Sequence, residues 1–266
     1  MDDWYVISNV DRIDSPALAF YPDRISGNIE LAKRIIGDTN RLRPHVKTNK
    51  AAEVSRMLLD AGIRKFKCAT IAEAEMLGHI NAPDVLLAYQ PVGPKISRLL
   101  DLIKAYPATH YSCLVDQAEN ARAISALCEA GNITLDVFID LNVGMNRTGV
   151  LPERAEALVD AILPLKSLQI IGLHGYDGHI HGTLPRRGCS VRLDRTCVPG
   201  DIPQVCLSIG KGDGRYSYIP DVREAEGLRM QSRHVCVLGL GVWKRLSGYA
   251  VQGSCLIDNS GHFRAG

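Results

Sequence analysis

Arg43-Pro44-His45-Val46-Lys47-Thr48-Asn49-Lys50 lies between an apolar-and-basic strand signal over 42–47 and a helix signal over 51–61. A lysine that ends a strand in an α/β barrel points into the mouth, where such barrels place their chemistry. Neighbouring cations favour the neutral, nucleophilic form of an amine, which can then form a Schiff base. His45 and Lys50 supply that neighbouring charge. Taken alone, the same string also reads as a solvated basic turn.

Outward from this stretch the chain alternates. Strand signals fall at 17–21, 42–47, 66–69, 85–88, 111–115, 137–141 and 168–174. Helix signals fall at 25–36, 52–61, 71–79, 96–105, 118–130 and 152–163, several with apolar residues at i, i+3 and i+4. Short apolar strands alternating with amphipathic helices predict a parallel sheet with helices outside. So many repeats of one unit favour a (β/α) barrel over an open sheet.

The 266 residues fit one barrel-sized domain with a sizeable core. A hydrophobic fraction of 46%, a charged fraction of 23% and a net charge of +2 are ordinary for a soluble protein and give no signal for nucleic acid. No apolar run is long enough to cross a membrane, and the acidic start Met1-Asp2-Asp3-Trp4 does not read as a signal peptide. A cytoplasmic location with reduced thiols is the expectation. The eight cysteines form no C-x-x-C pair, so nothing supports a zinc ribbon.

Segments matching one family recur in order along the first two thirds. They are Ser15-Pro16-Ala17-Leu18 with Tyr21-Pro22-Asp23-Arg24, the lysine stretch, and Lys65-Phe66-Lys67-Cys68-Ala69-Thr70. Further on come Asp140-Leu141-Asn142-Val143-Gly144-Met145-Asn146-Arg147-Thr148-Gly149 and Gly172-Leu173-His174-Gly175-Tyr176-Asp177-Gly178-His179. On these, residues 1–181 closely resemble the D-threonine aldolase and D-serine dehydratase family, pyridoxal-phosphate (PLP) lyases on an alanine-racemase-like barrel. The resemblance implies an α/β fold, a (β/α)8 TIM-like barrel of the alanine racemase N-terminal type, incomplete here. It also implies a missing or disrupted C-terminal β domain, a small D-amino acid substrate and a homodimer. Asn49 departs from the family's usual histidine and matches the asparagine of alanine racemases.

The resemblance makes Lys47 the catalytic residue, carrying the cofactor as an internal Schiff base, with Lys50 a surface or supporting cation. His45, Arg147 and Tyr176 are the cofactor-binding candidates. A guanidinium at a strand end can bond the cofactor's phenolic oxygen region or a substrate carboxylate; a salt bridge to the next helix is the plainer alternative. The Tyr176 ring could pack on the pyridine face. Together with His45, the residues His174, His179 and His181 would share one mouth and admit a metal reading. The family carries a divalent metal (Mn, Mg or Zn), but its ligands come from a far C-terminal segment without counterpart here, so no metal ligand is assigned.

Beyond residue 181 the character changes. Five of the eight cysteines lie there, and Arg, Gly, Ser and Cys replace the Ala/Leu/Glu-rich helices. Reading the coding DNA one nucleotide later explains this change. Residues 214–221 then permit GGTPTFP, 231–242 permit SPGTFVFWDWG and 249–253 permit MPFK. These resemble, in order, the family's phosphate-binding glycine stretch and later landmarks. Residues 182–266 are therefore expected to be a frame-shifted, truncated remainder of the barrel and the start of the β domain. In the frame as given, Gly210-Lys211-Gly212-Asp213-Gly214 is a poor phosphate cup, because its aspartate repels phosphate. His234-Val235-Cys236 imitates a ligand pair by accident.

D-threonine aldolase-like cleavage, giving glycine and an aldehyde, is the first functional expectation, and D-serine dehydration the second. A racemase comes third, for want of a second base. The rivals are a damaged chain that binds PLP weakly or not at all, and a PLP carrier without turnover.

Overall fold

The computed structural model describes residues 5–176 in full, and the backbone alone at 205–208, 256–257 and 263–264. Helices α1 (Pro22–Ile36) and α2 (Ala52–Asp60) come first. Strands and helices then alternate as β1 (Lys65–Cys68), α3 (Ile71–His79), β2 (Asp84–Leu87), α4 (Pro94–Ala105), β3 (His110–Val115), α5 (Ala118–Ala130), β4 (Leu135–Leu141), α6 (Pro152–Ile162) and β5 (Leu168–Tyr176). A sixth strand, β6 (Val205–Ser208), joins the sheet beside β5. A separate antiparallel pair, β7 (Leu256–Ile257) and β8 (Phe263–Arg264), is defined by backbone alone.

The sheet order β1-β2-β3-β4-β5-β6 is sequential and every pairing is parallel. A doubly wound sheet reverses its strand order midway; a sequential order is the winding of a barrel. The fold is thus an incomplete α/β barrel. Local chemistry sets the element ends. Proline opens α1, α4 and α6, where a missing N–H costs nothing. Thr70 caps α3 by accepting from the Glu73 N–H at 3.1 Å.

Strand residues alternate between two buried faces. Phe66, Val85, Leu87, Cys113, Val115, Val137 and Ile139 join the main core with the helices. Leu86, Leu114 and Phe138 form a second, smaller cluster on the opposite face, the barrel interior. Parallel strands covered on both sides must be apolar throughout, which is why these segments read as short apolar runs. The free cysteines Cys68, Cys113 and Cys128 are buried, and burial pushes each thiol up, away from reactivity.

Two expected strands are not laddered. Residues 17–21 form no strand, and Leu18 and Phe20 are exposed. The strand expected over 42–47 reduces to one bridge, His45 opposite Lys67, with the Lys67 N–H donating to Pro44 O at 2.8 Å. Pro44 has no N–H to extend the ladder. The chain then leaves as a 3-10 turn, Val46–Thr48, in which the His45 ring accepts from the Lys47 N–H. Residues 177–204 and most of those beyond lie outside the described residues. With them go His179, His181, the 210–214 glycine string, the His234–Cys236 pair and the side chains of the expected second region.

Candidate active site

The barrel's alternation builds the site. The lumen face runs Leu114 then Asp116, Phe138 then Asp140, and Gly172 then His174 then Tyr176. Two residues beyond the last apolar lumen residue, each strand end presents a polar group to the mouth.

Arg43 anchors the lysine stretch from below. Its buried guanidinium donates to both Asp84 carboxylate oxygens, at 2.6 and 2.7 Å, and to Phe66 O at 3.2 Å. This fork fixes the chain just before the His45 bridge. Val46, fully buried, pins the turn, and Lys47 is thereby left exposed at the mouth. Its Nζ lies 5.9 Å from the centroid of the Tyr176 ring. The Arg147 guanidinium carbon lies 4.8 Å from the same centroid. The structure therefore brings Lys47, Arg147 and Tyr176 together, and Arg147 stacks on the tyrosine instead of pairing with the next helix. A pocket lined by Asp140, Asn142, Val143, Met145, Arg147 and Tyr176 opens beside them.

Lys50 separates from the group. It pairs with Glu73, whose other oxygen accepts from the Ala69 N–H at 2.8 Å. That pairing turns it away to α3, whereas Lys47 faces Tyr176.

His45 has its basicity pushed far down, to about 2, first by burial and then by Lys67, Lys47, His174 and Lys50. The imidazole is neutral at any physiological pH. Its Nδ1 accepts from the Lys47 N–H at 3.2 Å, so its proton sits on Nε2 and its free side can only donate.

Sequence reading placed His174 at the mouth but missed the groups around it. His174 Nδ1 contacts Asp140 Oδ1 at 2.5 Å, both side chains being buried. Burial alone would raise the Asp140 carboxyl, but hydrogen bonds from His174, Thr148 and Gln90 and the charge of His174 hold it below its usual value. Burial pushes His174 down against the Asp140 bond. The two are held by one short bond, in which the imidazole Nδ1–H donates to the Asp140 carboxylate. Lys67, buried on the lumen face, sends its charge to both His45 and His174. A charged or polar residue inside an otherwise apolar strand is the signal that could have found Lys67 and Asp140. Among the described residues, no three His, Cys, Asp or Glu side chains gather as a metal site.

Residues 21–185 match the alanine racemase N-terminal domain family, and the chain belongs to it. The D-threo-3-hydroxyaspartate dehydratase of Delftia sp. (strain HT23) is 28% identical over 185 residues, 68% of this chain and 46% of the relative. The D-threonine aldolase of Arthrobacter sp is 27% identical over 173 residues, 64% of this chain and 45% of the relative. The crystal structure of D-threonine aldolase from Filomicrobium marinum superposes with a TM-score of 0.57 at 29% identity, covering 63% of this chain and 45% of that one. The chain thus spans about half the length of the curated relatives it matches.

Proposed function

We propose that this barrel belongs to a PLP-dependent lyase acting on a D-configured β-hydroxy amino acid, with Lys47 as the residue that holds the cofactor covalently. The carrying observation is the convergence of Lys47 and Arg147 on the Tyr176 ring. The donor set fits an aromatic aldehyde bearing anionic groups: an amine, an aromatic ring, a guanidinium and a neutral imidazole at one mouth. When bound, PLP supplies an electron sink conjugated to the substrate's Cα.

The chain's own groups then have distinct tasks. Arg147 offers a planar fork to an anionic oxygen. Tyr176 excludes water from one side and fixes the spacing of the two cations. His45 donates from Nε2 and, with so low a basicity, does not serve as the proton acceptor. His174 is held in place by its Nδ1 bond to Asp140. In the aldol reading the β-hydroxyl loses its proton, the Cα–Cβ bond breaks, the aldehyde leaves and Cα regains a proton to give glycine. No step is derived through a metal, because the described residues do not assemble a donor set for one.

A second reading is dehydration, favoured by the dehydratase of Delftia sp. among the relatives. There the α-proton leaves, the β-hydroxyl departs as water, and the enamine hydrolyses to a keto acid and ammonia. A third is that this chain, with residues after about 181 out of frame, is a damaged form that holds the cofactor weakly. One assay separates them. Purified protein with PLP is given D-threonine or D-serine. Acetaldehyde with glycine supports the aldolase, a keto acid with ammonia supports the dehydratase, and no product from either supports the damaged form.

A further inference from the structure

Arg147 is carried by the loop between β4 and α6, and the sheet does not hold this loop alone. Its ends are closed by Asn142 N–H to Val150 O at 2.9 Å and Val150 N–H to Asp140 O at 2.8 Å. Within it, Asn142 Oδ1 accepts from the Gly144 and Asn146 N–H groups at 3.0 and 3.1 Å.

Two carboxylates reach in from the lumen. Asp140 accepts from the Thr148 side chain, and Asp116 Oδ2 accepts from the Gly149 N–H at 3.0 Å. Gln90 ties the two together: its Nε2 donates to Asp116 Oδ2 and to Asp140 Oδ2, each at 2.9 Å. Both hydrogens of that amide are used. With His174 on the other oxygen of Asp140, one row of bonds crosses the mouth from Gln90, three residues past β2, to His174 near the end of β5.

Gly149 has little freedom at the end of this row. Its φ is +97°, and an added Cβ would stand 2.5 Å from Asn142 N and Leu141 C. The backbone there is fixed sterically on one side, so the direction of its N–H depends on the acceptor it meets.

We propose that Asp116, fastened by Gln90, is the positioning residue for Arg147: it fixes the loop two residues downstream, so that the guanidinium stands over Tyr176. Asp140 also grips the loop but is shared with His174, whereas Asp116 turns one carboxylate oxygen to both Gln90 and Gly149. The role is that of an acceptor and not of a charge. Burial pushes the Asp116 carboxyl up, the Gly149 N–H opposes this, and the neighbouring Asp140 adds to it. A single neutral carbonyl oxygen at the same place could take both bonds.

The effect on the cofactor rests on the PLP reading above; the effect on the loop does not. The test uses the full chain with Asp116→Ala and Asp116→Asn. Amide exchange at Gly149 and Val150 is measured against Phe138 and Ile139 of β4, and PLP affinity is measured by absorbance. Asp116→Ala is expected to speed exchange at Gly149 about tenfold relative to β4 and to weaken PLP about tenfold, the loss of one or two buried bonds. Asp116→Asn is expected to stay within about twofold of the parent on both. The proposal is overturned if the alanine variant leaves Gly149 within about twofold, if the asparagine variant loses as much as alanine, or if β4 exchange rises with Gly149. A parent chain that takes up no PLP sinks the cofactor reading, and the exchange ratio still decides the positioning.

Discussion

Arg147 and Lys47 share a single aromatic ring: the guanidinium carbon and the amine nitrogen lie 4.8 and 5.9 Å from the centroid of Tyr176. The ring attracts both cations through its quadrupole. Tyr176→Phe keeps the face and should change PLP affinity by less than about threefold. Tyr176→Leu removes it and should weaken PLP about tenfold, corresponding to roughly 1–1.5 kcal/mol. Absorbance titration reads both. Equal losses in the two variants would move the role from the ring to the hydroxyl.

Lys47 and Lys50 are close in sequence and opposite in circumstance. Lys50 is spent on Glu73, while Lys47 faces Tyr176. Borohydride reduction after PLP incubation should leave the label on the peptide containing Lys47 in the parent and in Lys50→Ala. Lys47→Ala should lose it. The separation rests on removing the residue proposed to carry the covalent bond. A label that follows Lys50 would overturn the assignment.

Away from the mouth, His110 contacts Asp136 at 2.8 Å near the start of β3. That bond, opposed by burial and then aided by the charges of Asp136 and Asp84 against Arg43, raises the His110 value above normal. A raised folded value means stability that is fully present below the unfolded value of about 6.5 and is lost as pH climbs through the folded value. The melting temperature of the parent should therefore exceed that of His110→Gln at about pH 5 and converge with it at about pH 9. The ring is half-exposed, so the gap should be small and should shrink in high salt. A gap that widens with pH would contradict the assignment.

What was legible in the sequence follows from what is local. Apolar runs bounded by turns gave β1 to β5 within a few residues, because strands buried on both faces leave a continuous signature. The 42–47 segment misled, since its basic and apolar residues fit a strand while Pro44 denies it a ladder. At the mouth, Lys47, Arg147 and Tyr176 each lie within a recognisable motif, and the structure joins them. Gln90, Asp116 and Asp140 could not be grouped by reading along the chain. They lie 26 and 50 residues from Gln90, and only the parallel register places them side by side.

The register of the gene itself is the remaining prediction. A shifted codon takes its first base from one residue's second, its middle base from the degenerate third position, and its last base from the next residue's first. Most of each shifted residue is thus dictated by the chain as given, so continuous agreement over 214–221 and 231–242 is a severe constraint. Sequencing the coding DNA across codons 181–190 should show a one-base insertion or deletion. Restoring the frame should then supply the glycine-rich amides that hold a phosphate beside the last strands, as anions are held at backbone N–H groups. The repaired chain should bind PLP at least about tenfold more tightly than this one, the energy of one or two charge-assisted bonds. An intact frame would make residues 182–266 the protein's own, and the cofactor reading would then stand on Lys47, Arg147 and Tyr176 without a phosphate cup of the family's kind.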